Sequence, residues 1–212
     1  MTVISSQMNT AQKFKTMGTN VKNYTNNQLL NRVKLLPSFK GYPKGFWILG
    51  VRSNEDEPNH FDDKFYLFRG EEFIMVATGT TNPGLSILKG GYKSYNPLGA
   101  AVVKADEWYI DVWKFGKHKG KTDALLQTGA KIKFYRDGDN DGSSEENGML
   151  FEGFNGINFH PNTHDLTKEF SGEMINGWSA GCQVVNEIPK YNKIIELVKA
   201  QKTVSYCLLK EF

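Results

Sequence analysis

Short runs of apolar residues, several of them alternating with polar ones, fill the middle of the chain. Five of them have the length and spacing of strands: DKFYLFRG, EEFIMVATGT, EWYIDVWKFG, KIKFYRDG and GMLFEGFNGINFH. The first two lie on either side of Gly70 and predict a hairpin. The last is a long strand region that contains several glycines and ends at Pro161. Short strands separated by turn residues are typical of a mainly β domain.

One stretch near each end of the chain has apolar residues at helical spacing instead. The apolar positions are Leu29, Leu30, Val33 and Leu36 within residues 26–37, and Tyr191, Ile194, Ile195 and Val198 within residues 188–202. The first stretch ends at Pro37. Each is followed by a run that predicts a buried strand, FWILGVR and TVSYCLL respectively. These patterns predict a mainly β (α+β) fold with a helix near each end.

The simplest domain division is a single domain over residues 26–212, preceded by a polar and poorly ordered extension over residues 1–25. The first 15 residues lack the apolar core of a signal peptide, so we expect synthesis in the cytoplasm without one. The chain contains no run of ~18 apolar residues, so we expect no helix that inserts into a membrane. A net charge of +3 is too small to indicate nucleic-acid binding.

The segment NGWSAGCQVV contains the cysteine that best suits chemistry. Cys182 follows the small residues Ser179, Ala180 and Gly181, which is typical of a turn that presents a thiol to a substrate. Small residues also let backbone N–H groups approach a carbonyl oxygen, as an oxyanion hole requires. Cys207, the other cysteine, lies in an apolar run and is predicted to be a core residue. Two cysteines do not form a disulfide framework.

His160 is the best candidate for a base that would activate this thiol. In the segment GINFHP, residues Ile157 and Phe159 share one face of a strand, and Asn158 and His160 share the other. Pro161 restricts His160 to an extended conformation and ends the pairing of the strand. An ordinary thiol is only about 3% ionised at pH 7, so an imidazole that accepts its proton would increase the reactive thiolate fraction. Spacing and residue type alone do not decide whether Cys182 and His160 form a catalytic pair.

INFHPN followed by WSAGCQVV resembles the signature of the L,D-transpeptidase catalytic-domain family, whose enzymes act on peptidoglycan stem peptides through a cysteine thioester. The form WSAGCQ is similar to that of a subgroup common in bacteriophage genomes. Further stretches resemble the same subgroup, and together they span roughly residues 46–187: GVRS, PNHFDD, ATGTTNPG, NPLGAAVVK, HKGKTDALLQ and FYRDGDNDG. The resemblance implies an L,D-transpeptidase-like β-sandwich.

The resemblance also implies roles for individual residues. Cys182 would be the nucleophile and His160 the base, and the N–H groups of Gly181 and Cys182 would stabilise the oxyanion. Ser179 would orient the imidazole or shape the turn. Candidate substrate-binding residues are His118, Gln183 and Trp178; His118 lies in the basic loop KFGKHKGK, which suits an acidic stem peptide.

The chain departs from the better-known bacterial enzymes at two positions of the motif. Ala180 stands where they have a histidine, and Val184 where they have an arginine. Transfer to an amine is therefore less secure than thioester formation. We expect a phage-encoded stem-peptide hydrolase that passes from the host cytoplasm to the wall in the periplasm. The alternatives are an L,D-transpeptidase that forms or exchanges cross-links, and a non-catalytic wall-binding or virion structural module.

The sequence also offers two alternative metal sites. A zinc site from His160, His164, Cys182 and Asp165 has suitable ligand types, but Pro161 argues against the helix on which His-x3-His pairs usually lie. The segment DGDNDG begins like an EF-hand calcium loop, with carboxylates at alternate positions before Gly142. Its twelfth position is Gly148 rather than glutamate, which excludes a complete EF-hand and leaves a partial calcium site open. No metal and no cofactor is expected for the reaction.

Overall fold

The computed structural model describes residues 22–55 and 57–212. The strands in this part of the chain are β1 (Phe46–Arg52), β2 (Asp63–Arg69), β3 (Glu72–Thr80), β4 (Ala100–Val103), β5 (Glu107–His118), β6 (Thr122–Leu126), β7 (Ile132–Asp137), β8 (Phe151–Gly153), β9 (Phe159–Pro161), β10 (Gln183–Val185) and β11 (Val204–Lys210). The helices are α1 (Asn26–Lys34) and α2 (Ile188–Val198). Single wider and tighter helical turns cover Ile87–Gly91 and Asn176–Trp178.

Eight strands form a closed barrel in the order β1-β11-β5-β6-β9-β10-β3-β2, and β4, β7 and β8 form a separate three-stranded sheet. The prediction of a mainly β fold with a helix near each end is confirmed. The hairpin around Gly70 is also confirmed, because β2 and β3 pair antiparallel. The long strand predicted up to His160 is wrong in one respect: it is split into β8 and β9, which belong to different sheets.

The split has a local cause in the glycines that separate the two strands. Gly156 has a positive φ of 67°, a conformation that does not continue a strand. The buried side chain of Gln127 then holds this irregular segment, since its Oε1 accepts hydrogen bonds from the N–H groups of Asn155 (2.9 Å) and Ile157 (3.0 Å). The backbone polar groups that the broken strand leaves unpaired are satisfied in this way.

The alternation of side chains along the barrel strands gives the sheet two apolar faces. Trp47 and Leu49 of β1 pack with Cys207 and with α1, whereas Ile48 packs in a second cluster with Trp113 and α2. Cys207 is fully buried, which confirms its prediction as a core residue. Both helices therefore lie on the barrel through the apolar stripes that the sequence predicts.

Helix α1 begins after Thr25, which forms a capping box with Gln28, and it ends at Lys34, short of the predicted Pro37. The predicted poorly ordered extension falls mostly on residues 1–21, which lie outside the described residues. Within residues 22–25, the ring of Tyr24 stacks on Phe212 at 4.2 Å. Neither helix in the described ranges is long and apolar enough to cross a membrane.

Candidate active site

The parallel pairing of β9 with β10 places the predicted nucleophile and base on one face of the sheet. His160 is in register with Val184, and Phe159 with Gln183. In-register side chains on neighbouring strands point to the same face, so Val184 and His160 share a face. Cys182 precedes Val184 by two residues and lies on that face as well. Ile157 and Phe159 are buried in the core on the opposite face, as predicted.

The turn before Cys182 is fixed by short hydrogen bonds. The Oγ of Ser179 donates to the carbonyl of Cys182 (2.9 Å) and accepts from the N–H of Gly181 (3.1 Å). Gly181 has a φ of +133°, and a Cβ there would lie 2.4 Å from the carbonyl oxygen of Ala101 on β4. The N–H of Ala101 in turn donates to the carbonyl of Ala180 (3.0 Å). Only glycine fits at position 181, and β4 supports the whole turn.

The sulfur of Cys182 is partly buried against Phe61, Ile175 and Val184. Its thiol donates to the carbonyl of Gly156 at 3.4 Å. Burial raises the pKa of Cys182 to about 11, although the N–H of Asn158 and the charge of Lys119 act in the opposite direction. The group is therefore a neutral thiol at neutral pH.

His160 is fully buried and is also neutral. Its Nδ1 lies 2.9 Å from the carbonyl oxygen of Pro161, which can only accept, so Nδ1 carries the proton and Nε2 presents a lone pair. This Nε2 has no hydrogen-bond partner among the described residues. Burial, and next the neighbouring His118, lower the pKa of His160 to about 3. The thiol of Cys182 is directed at Gly156 rather than at this nitrogen, so the two share a face without being hydrogen-bonded.

His118, at the end of β5, stacks on His160 with ring centroids 4.0 Å apart and 17° between the planes. The N–H of Gln127 donates to Asn158 Oδ1 (2.9 Å), which leaves the amide of Asn158 to donate to His118 Nδ1 (3.2 Å). His118 therefore carries its proton on Nε2 and is a donor there. Burial, with Lys119 and His164 next, lowers the pKa of His118 to about 4. The two stacked imidazoles thus differ at Nε2, where His160 is a hydrogen-bond acceptor and His118 is a donor.

A groove of about 410 Å³ opens beside the sulfur. Its lining residues are Ile87, Gly91, Tyr92, Tyr95, His118, Lys119, Asn155, Gly156, Ile157, Gly177, Trp178, Ala180, Gly181 and Cys182. Within the described ranges this lining contains one charged side chain, Lys119, and no carboxylate. The groove therefore favours a ligand that carries negative charge near the thiol.

Of the predicted residues, Cys182, Gly181, His118 and Trp178 line the groove, and His160 lies behind His118. Ser179 is buried and contacts the turn rather than the imidazole. Gly181 donates its N–H to Ser179 Oγ, so of the two N–H groups expected to stabilise an oxyanion, that of Gly181 is already engaged in this conformation.

Gln183, expected to bind substrate, is fully buried on the other side of the strand. Its Nε2 donates to the carbonyl of Gly181 (3.2 Å), and its Oε1 accepts from the hydroxyl of Tyr206 (2.6 Å). It therefore positions the turn from inside the barrel and is absent from the groove lining.

Sequence reasoning missed Asn158, Gln127 and Lys119 as members of the site. For Asn158 a signal existed, because it alternates with His160 on the same strand face. Lys119 stands beside His118 in the basic loop, but nothing in the sequence distinguishes it from the other lysines there. Gln127 is remote in sequence from both strands that it supports.

Among the described residues, His160, His164, Cys182 and Asp165 do not come together as the zinc site that the sequence offers. His164 is exposed, and its Nδ1 lies 2.6 Å from Thr122 Oγ1. Among the described residues, the group of metal-binding side chains whose ligand atoms lie within 4.8 Å of one another is Asp139, Asp141 and Glu145 instead.

Comparison with known proteins found no matching family model, no curated protein and no solved structure with significant similarity to this chain.

Proposed function

We propose that the protein is a cysteine peptidase that hydrolyses peptidoglycan stem peptides through a thioester on Cys182. The observation that carries the proposal is the pairing of an accessible sulfur with a buried imidazole acceptor on one strand face. A cysteine that only fills the core would not line a groove, and it would not share its strand face with an unpaired imidazole nitrogen. The resemblance of INFHPN and WSAGCQVV to the L,D-transpeptidase signature supplies the substrate class.

The chemistry follows from the two neutral groups. When a substrate carbonyl enters the groove, the Cys182 thiol turns from Gly156 toward His160 Nε2 and transfers its proton there as sulfur bonds to the carbonyl carbon. The N–H of Cys182 donates to the oxygen that becomes negative. Collapse of this intermediate expels the amine, which takes the proton from His160, and leaves a thioester. Water then attacks the thioester with His160 again as base, and the thiol is released.

Burial acts differently on Cys182 and His160 before and after the proton is transferred. It holds both groups neutral in the free protein, because an isolated thiolate or imidazolium would be poorly solvated. It also strengthens the attraction between the charges once the proton has moved. The ion pair is therefore expected to form during attack and not before substrate binds.

Lys119 supports the substrate class, since stem peptides carry carboxylates and the groove offers one cation to bind them. The donor Nε2–H of His118, buried and without a partner among the described residues, is a further group that a bound carbonyl or carboxylate would satisfy.

The test is incubation of the full chain with purified muropeptides and sacculi, followed by mass spectrometry of the products. We expect loss of stem residues with the parent protein and none with Cys182→Ala. Cys207→Ala is the matched control, because it removes the other cysteine, which lies in the core away from the groove. It should retain activity if its circular dichroism is unchanged.

Two results would contradict the proposal. New cross-links or exchanged D-amino acids without net loss of stem residues would identify a transpeptidase. Wall binding by Cys182→Ala equal to that of the parent, with no product from either protein, would identify a binding or structural module.

A further inference from the structure

The loop that follows β7 gathers carboxylates without cationic partners among the described residues. Asp137 is the last residue of β7. Counted from it, Asp139, Asp141 and Glu145 are the third, fifth and ninth residues. Carboxylate oxygens of the last three lie within 4.8 Å of one another. None of the four forms an ion pair with a described basic residue. Like charges this close repel, so an isolated cluster would separate.

Asp137 provides an independent sign that a ligand belongs in this loop. It is only 6% exposed. Its Oδ2 accepts from the N–H of Glu145 at 3.1 Å, which holds the carboxylate against the acidic loop. Its Oδ1 is buried and has no hydrogen-bond partner within the described ranges. A buried carboxylate oxygen without a partner is costly unless a cation binds it.

We propose that Asp137, Asp139, Asp141 and Glu145 bind one calcium ion. These residues occupy the first, third, fifth and ninth positions of an EF-hand-type loop, and Gly142 stands at the sixth with a φ of +96°. Four carboxylates and adjacent carbonyls suit a hard cation that accepts six to eight oxygens. The bidentate glutamate of the twelfth position is replaced by Gly148, so the affinity belongs to the weak class, with a Kd of about 0.1–1 mM.

The loop touches the groove wall, which gives the site a structural consequence. Gly142 lies against the side chains of Leu85 and Lys89, and Gly90 against Asn140. The segment Ile87–Gly91 in turn contributes to the groove lining. Calcium would therefore fix the loop on which one wall of the groove rests. The site itself is independent of the proposed reaction.

The experiment is calorimetric titration of the chelator-treated full chain with calcium chloride, together with thermal melting. We expect one ion per chain and a rise in Tm of at least about 3 °C at 10 mM calcium. The variant Asp139→Ala/Asp141→Ala should lose both responses. It should melt without calcium at or above the temperature of the parent, because both residues are exposed and their repulsion is removed. Glu152→Ala removes an exposed carboxylate on β8 and should respond like the parent.

Absence of heat and of a Tm shift at 10 mM calcium would overturn the site. So would an equal response of the double variant, or of the parent to sodium chloride at the same ionic strength. An equal response to magnesium would overturn the assignment to calcium, because magnesium gives up its water reluctantly and demands a stricter geometry.

Discussion

The rate at which Cys182 is alkylated at different pH values tests the electrostatics of the site without any knowledge of the substrate. Burial raises the pKa of this thiol to about 11. At pH 7 a thiol with that pKa is roughly 0.01% ionised, against about 3% for an ordinary cysteine with a pKa of ~8.5. Only the thiolate reacts, so the reactive fraction is lower by about 300-fold.

The higher pKa also makes the thiolate a better nucleophile, which offsets part of this deficit. With a Brønsted coefficient of about 0.4–0.5, a rise of ~2.5 units in pKa increases the reactivity of the ion by roughly 10–18-fold. The net expectation at pH 7 is alkylation about 20-fold slower than that of a small peptide thiol. The rate should rise about tenfold per pH unit through pH 9, because the thiolate fraction does so.

The assay is pseudo-first-order reaction with iodoacetamide between pH 6 and 9, followed by mass spectrometry of the cysteine peptides. Cys207 is fully buried and serves as an internal control, since its labelling would show that the fold has opened. His160→Gln should leave the rate at Cys182 unchanged, because the imidazole is neutral in the free protein.

A rate equal to or above that of a peptide thiol at pH 7, or one that is flat from pH 6 to 8, would refute this reasoning. Either would mean that an imidazolium at His160 stabilises the thiolate before substrate binds. In that case the His160→Gln variant would react much more slowly than the parent.

Three substitutions extend the test. Gly181→Ala should lower the free energy of unfolding by ~2–4 kcal/mol in urea titrations, because the new Cβ meets the Ala101 carbonyl in a disfavoured φ region; an unchanged midpoint would show that the turn is not fixed as described. His160→Gln should lower kcat on muropeptides by roughly 10²–10⁴-fold with an unchanged circular dichroism spectrum, and a loss below tenfold would assign the base elsewhere. Lys119→Met should raise KM about two- to fivefold, whereas Lys121→Met, outside the groove lining, should not; equal effects would reduce the role of Lys119 to general surface charge.

Much of the fold could be predicted because its longer strands carry their own signal. The runs that became β1, β2, β3 and β5 are seven or more residues long, and their apolar positions fit a sheet. The short strands β4, β6 and β10 were missed, because their own residue pattern gives no strand signal and their extended conformation depends on pairing with adjacent strands. Closure of the barrel depends on the parallel pairing of β1 with β11, for which no local signal exists.

The site was predictable where alternation along a strand decides the geometry. It places His160 and Asn158 on one face, and the same rule places Gln183 opposite Cys182, inside the barrel. The contact of Gly181 with Ser179 depends on the turn conformation, and the stacking of His118 on His160 depends on how β5 crosses the barrel. Neither is encoded in residue spacing.

The position of β11 between β1 and β5 has a consequence for synthesis on the ribosome. Trp47 of β1 pairs with Ser205 of β11, which is synthesised roughly 160 residues later. At ordinary elongation rates this delay is about 10–30 s. During that interval both flanking strands expose unpaired edges, and the nascent polypeptide depends on chaperones or on delayed collapse to avoid aggregation. Removal of the last ten residues would keep the chain in that open, non-native state permanently.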